Sequence, residues 1–155
     1  MLLLRIIYQG ENMKKSAFTM IELVFVIVVL GILAAVAIPR LAATRDDAAI
    51  AKGRSDVASI RSAIITERQS RLFRGDSTFI TNALMDNGGL FGGVMAYPIV
   101  AQPGSGHWTG AAPTYTFSTS LGNAVFTYCP IVAPGCPVAG VFDCANSAAC
   151  SALTD

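Results

Sequence analysis

The sequence predicts an α+β fold in which one long N-terminal helix, its first half built to cross a membrane, packs by its second half on a small antiparallel sheet. Three observations predict it. Residues 18–38 form an apolar run broken by one charge, Glu22. Residues 39–74 keep an apolar stripe at helical spacing but become rich in arginine. From residue 75 the helical pattern stops, Gly, Pro, Ser, Thr and aromatics take over, and short alternating stretches appear.

The apolar run lies in the stretch KKSAFTMIELVFVIVVLGILAAVAIPR, residues 14–40. Phe18 to Ile38 is 21 residues, which as a helix spans about 32 Å, the thickness of a bilayer core. A carboxylate inside such a segment costs ~2.5–3.5 kcal/mol on insertion scales and calls for a partner. The run itself offers none. Ala35-Val36-Ala37 has the small-x-small form of a signal-peptidase site, but a signal-peptide apolar region is typically about 7–15 residues and carries no acid.

Two lysines, a small residue, then FTMIELV and an uninterrupted apolar helix closely resemble the N-terminus of type IV pilins and pseudopilins. The resemblance implies cleavage by prepilin peptidase between Ala17 and Phe18, with Ala17 standing where the family usually has glycine, followed by N-methylation of Phe18. It also implies that Glu22 pairs with the Phe18 amine of a neighbouring subunit, which makes the acid a register pin, since a wrong stagger strands its charge in apolar surroundings. On this reading residues 1–17 are a leader. Residues 1–12 read as a misassigned start ahead of Met13, with Gly10-Glu11 as a translated ribosome-binding run.

Residues 39–74 read as an amphipathic stem continuing the helix. Ile50, Val57, Ile60, Ile64 and Leu72 recur at helical spacing, giving one face for packing. Gly31 and Pro39 are weak points, because proline removes a backbone hydrogen bond and glycine costs ~1 kcal/mol of helix propensity. The resemblance implies that the segment between them opens on assembly. Gly53 carries the same propensity cost, and Gly75-Asp76-Ser77 is the expected stop. The stem holds eight basic residues against four acidic ones, whereas residues 75–155 hold no Lys or Arg and four aspartates. We read the arginines as a solvated helix face in preference to intersubunit pairing, since exposed ion pairs contribute only about 0–1 kcal/mol. Nucleic-acid binding is not favoured, because acids interleave with the basic residues.

In the head, 75–155, Tyr97 to Gly110 reads as a Pro/Gly-punctuated loop around His107 and Trp108. Alternation at 114–118 and 124–128, joined around Leu121-Gly122-Asn123, predicts a hairpin, with a third strand at 140–143. Cys129, Cys136, Cys144 and Cys150 form an even set in a region expected outside the cytoplasm, which predicts disulfides. Of three possible connectivities the reading leans to Cys129–Cys136 with Cys144–Cys150.

No catalytic, cofactor or metal constellation emerges: there is no C-x-x-C, His107 is the only histidine, and Asp143, Asn146 and Asp155 are too sparse to resemble the calcium site of some secretion pseudopilins. The resemblance implies a structural subunit and not an enzyme, anchored by one span in the bacterial inner membrane with its head in the periplasm. The resemblance implies as partners prepilin peptidase, other pilin or pseudopilin subunits and an inner-membrane assembly platform, the product being a type II secretion pseudopilus or a type IV pilus; the short head leans to the former. The alternative is a minor or tip subunit whose head binds a secreted protein, a surface or DNA.

Overall fold

A computed structural model describes residues 18–145 and 147–154. The expected leader at 1–17, Ala17 included, lies outside the described residues, as do Asn146 and Asp155. The chain divides into two compact units between Pro39 and Arg40. Helix α1 runs Met20–Phe73, and both Gly31 and Pro39 fall inside it. In the first unit the apolar side chains stand exposed, and an 18-residue stretch with none of its residues buried is long and apolar enough to cross a membrane.

The second unit packs the rest of α1 against a four-stranded antiparallel sheet. Its strands are β1 (Trp108–Ala111), β2 (Thr114–Thr119), β3 (Gly122–Cys129) and β4 (Val141–Cys144), lying side by side in chain order. Two short helices, α2 (Asn82–Met85) and α3 (Ala148–Thr154), complete it. Helix α1 ends in a Schellman motif: the Asp76 amide donates to Arg71 O at 2.9 Å and the Gly75 amide to Leu72 O at 3.0 Å. Gly75, at φ +83°, supplies the left-handed residue this motif needs.

Period-two alternation puts Tyr115, Phe117 and Thr119 of β2 and Ala124, Phe126 and Tyr128 of β3 on one buried face. Phe142 of β4 and Trp108 of β1 join them in register, opposite Tyr128 and Phe117. Val57, Ile60 and Ile64 of α1 close the other side and are essentially fully buried, at roughly 1.5–3 kcal/mol each. Gly53 extends that face. An added Cβ there would lie 2.6 Å from both Leu153 and Phe117, so the helix carries the propensity cost of glycine to let β2 and α3 approach.

Four expectations are corrected. β1 lies within the stretch read as a loop; its four residues, with Gly110 in the middle, are too short and too mixed to alternate visibly, and pairing with β2 stabilises them. The hairpin strands are longer than expected and turn at Ser120-Leu121, where Thr119 Oγ1 accepts from the Leu121 amide and donates to Gly122 O. The stripe does not continue to Leu72, which is 48% exposed. It passes instead through the partly covered Glu67, Arg68 and Arg71, which a hydrophobic pattern does not register. The basic residues from Lys52 to Arg71 are also not a plain solvated face, as their contacts below make clear.

One polar cluster anchors the head. Asp86, which caps the end of α2, accepts from the Phe91 amide at 3.0 Å, the Ala112 amide at 2.7 Å and the Tyr115 hydroxyl at 2.8 Å. It thereby holds Phe91 at φ +61°, a conformation unfavourable for a bulky residue, with the ring buried 4.2 Å from that of Tyr115. Asp86→Ala leaves three donors unsatisfied and should cost about 2–4 kcal/mol, read as a lower urea midpoint. Burial, then the bond to Asp86, raises the Tyr115 pKa, and burial pushes that of Tyr128 up to about 12. Both phenols stay protonated in the fold when unfolded tyrosines ionise near pH 10. The share of stability these two phenols contribute should therefore be constant below about pH 10 and be lost as pH rises above it, measured as melting temperature on the alkaline side of neutrality.

Candidate assembly surface

At the start of α1 the Glu22 carboxylate does not hang free. Thr19 N and Thr19 Oγ1 donate to Glu22 Oε2 at 3.3 and 3.2 Å, and Glu22 N donates to Thr19 Oγ1 at 3.3 Å. Thr19 is the N-cap and Glu22 the third helical residue, a reciprocal capping box. The sequence signal for it, T-x-x-E ahead of an apolar run, is plain in Thr19-Met20-Ile21-Glu22. Both bonds to the carboxylate end on Oε2. Among the described residues Oε1 has no partner, and Phe18 is 77% exposed.

In the second unit the cations of α1 from Lys52 to Arg71 turn towards their own head. Lys52 Nζ donates to Gly106 O at 2.7 Å, Arg54 Nε to Ala152 O at 2.6 Å and Arg61 Nε to Phe142 O at 3.0 Å. The Arg68 guanidinium lies 3.9 Å over the Phe79 ring, and Arg71 bridges Glu67 and Asp76 at 3.1 and 3.2 Å. Arg61 also pairs with Asp143 at 3.3 Å. The charge asymmetry is thus largely spent within one chain, chiefly on main-chain carbonyls that composition cannot reveal.

The consequence lies on the opposite side of α1. Ala51, Ser55, Ala58, Ser62, Ile65 and Gln69, spaced three and four residues apart, are all exposed and none is charged. A solvated helix face ordinarily carries its charges there; this one carries small residues from Ala51 to Ser62 and then Ile65 and Gln69.

The structure joins Cys129 to Cys136 and Cys144 to Cys150. His107 is half-buried in the strand lead-in, and its carbonyl accepts from the Ser118 amide. Among the described residues no group of three or more His, Cys, Asp or Glu side chains could hold a metal. Asp143 spends Oδ1 on Arg61 and on the Cys144 amide.

A helix long and apolar enough to cross a membrane, joined in sequence to a compact α+β unit, fits a membrane-anchored pilin-like module. Residues 12–38 match the family model of the prokaryotic N-terminal methylation motif, the signature of type IV prepilins and pseudoprepilins, and the match supports a type IV pilin-like subunit. No curated protein and no solved structure matches the chain.

Lys52→Ala with Arg54→Ala removes two charged donors from the Gly106 and Ala152 carbonyls and should weaken the unit by about 1–3 kcal/mol, read by urea denaturation.

Proposed function

We propose that this chain is a pilin-like structural subunit, cut by prepilin peptidase between Ala17 and Phe18, methylated on the new Phe18 amine and polymerised through α1 into a pseudopilus or pilus. Before extraction it sits in the inner membrane as a single span, amino terminus inward, on an assembly platform. Gly31 and Pro39 supply the segment of α1 that opens during packing.

The observation that carries the polymer reading is the uncharged outer strip of α1. Cations turned inward and small residues turned outward leave a helix face that a second helix can approach closely without stranding a charge, and it continues the apolar character of residues 18–41. Glu22 fits the same reading: one carboxylate oxygen holds its own helix start, and the other remains for a neighbour's Phe18 amine. The head supports a structural role over nucleic-acid binding, since residues 87–142 contain no Lys, Arg, Asp or Glu.

Three outcomes test this. Mass spectrometry of the mature protein should find methylated Phe18 at the terminus and a loss of about 1.9 kDa, at roughly 110 Da for each leader residue removed; a terminus at Ile38 or an intact leader would overturn the processing. Glu22→Ala should insert normally yet assemble poorly, because deleting one member of a buried pair typically costs ~3–5 kcal/mol. Ser62→Arg, at an exposed position, should change stability by no more than about 0.5 kcal/mol yet abolish filaments seen by electron microscopy, and wild-type filament yield would refute packing through that strip.

A further inference from the structure

The two disulfides sit in different mechanical positions. Cys129–Cys136 closes a loop whose Ile131 and Val132 are each 68% exposed. Cys144–Cys150 ties the end of edge strand β4 to α3, a helix of seven residues. A helix that short does not persist alone in water. It is held by its seat: Ala149, Cys150 and Leu153 are buried, Leu153 stands over Gly53, and the Ala152 carbonyl accepts from Arg54. It also packs against β3, and further anchors are the local cap of Ser147 Oγ on the Cys150 amide and the bond to Cys144. Beneath α3 lies the seam where Gly53 meets Phe117 of β2.

We propose that Cys144–Cys150 is a redox-set latch: oxidised, it keeps α3 on Gly53 and closes the seam between α1 and the sheet; reduced, it lets α3 leave and uncovers that seam. Closing it takes two electrons and two protons from the Cys144 and Cys150 thiols and passes them, through a mixed disulfide, to a disulfide donor of the thiol–disulfide oxidoreductase class, which leaves as a dithiol. A dithiol reductant reverses the step. Access is at Cys144, the less buried partner, which borders a groove of about 380 Å³ with Val138 and Asp143. The latch makes docking of the C-terminal segment conditional on an oxidising compartment, and a reduced chain presents apolar surface in place of a finished subunit.

The test uses the full chain in detergent micelles. In Cys144→Ser/Cys150→Ser, amide exchange at residues 148–154 and 53–57 should accelerate by about tenfold or more, within the usual range of coupling between sites, while β1 to β3 keep their protection. Cys129→Ser/Cys136→Ser should leave α3 protected. Wild-type protection of α3 in the first variant, or the same pattern in both, overturns the latch. Should the first variant not fold, Arg54→Ala with both disulfides intact reads the same coupling from the other side. By removing the bond to the Ala152 carbonyl it should speed dithiol reduction of Cys144–Cys150 about tenfold and leave Cys129–Cys136 unchanged, followed by alkylation and peptide mass mapping. An unchanged rate at Cys144 refutes the proposal.

Discussion

The second unit depends on one packing contact, the face of α1 formed by Gly53, Val57, Ile60 and Ile64 set against the inward aromatics of the sheet. Phe117, Phe126, Phe142, Trp108 and Tyr115 form a connected aromatic layer, with neighbouring ring centroids 5.0–6.2 Å apart. A four-stranded sheet alone leaves that layer on water. The helix covers it, and Gly53 decides how near it comes. The same contact orients the cations flanking the buried stripe, because Lys52, Arg54, Arg61 and Arg68 lie on its borders and reach the head without leaving the helix.

That geometry accounts for an unusual allocation of charge. Where cations border a buried seam, carbonyls left without partners in a loop, at a helix end or on a sheet edge are natural acceptors, and a charge-assisted bond to each offsets the cost of leaving it unmade. Arg61 shows a second use. Phe142 lies on the edge strand, where an unpaired carbonyl invites pairing with another chain; Arg61 occupies it, and Asp143 occupies the Cys144 amide beside it. The sheet edge is blunted by one ion pair.

Much of this was legible in the sequence, in proportion to how local its causes are. The helix from the apolar run through the stem, the stripe from Val57 to Ile64, the hairpin and the stop at Gly75 follow from periodicity and turn chemistry within a few residues. β1 was not legible, because Trp108-Thr109-Gly110-Ala111 is a strand only when β2 lies beside it. α3 was missed for the same reason: Ala148 to Thr154 has no amphipathic length of its own and takes its helix from Gly53, Arg54 and the tie to Cys144. The destinations of the arginines are main-chain oxygens up to 98 residues away, which no pattern in composition encodes. At the amino-terminal site the position of Glu22 was legible and its local bond to Thr19 could have been read from the T-x-x-E spacing.

Glu22 and the outer strip of α1 pose the same physical problem at two polarities. A carboxylate in an apolar helix is tolerable when its geometry leaves few ways to satisfy it, because each wrong arrangement then carries a penalty of several kcal/mol. The capping box removes one oxygen from the competition and narrows those ways further. The strip does the converse: by carrying no charge it penalises no sliding along its length, and its small side chains set only the distance of approach. In a polymer of the kind proposed, register would then come from elsewhere along the helix, and Glu22 is the one charge between Phe18 and Ile38 that could supply it.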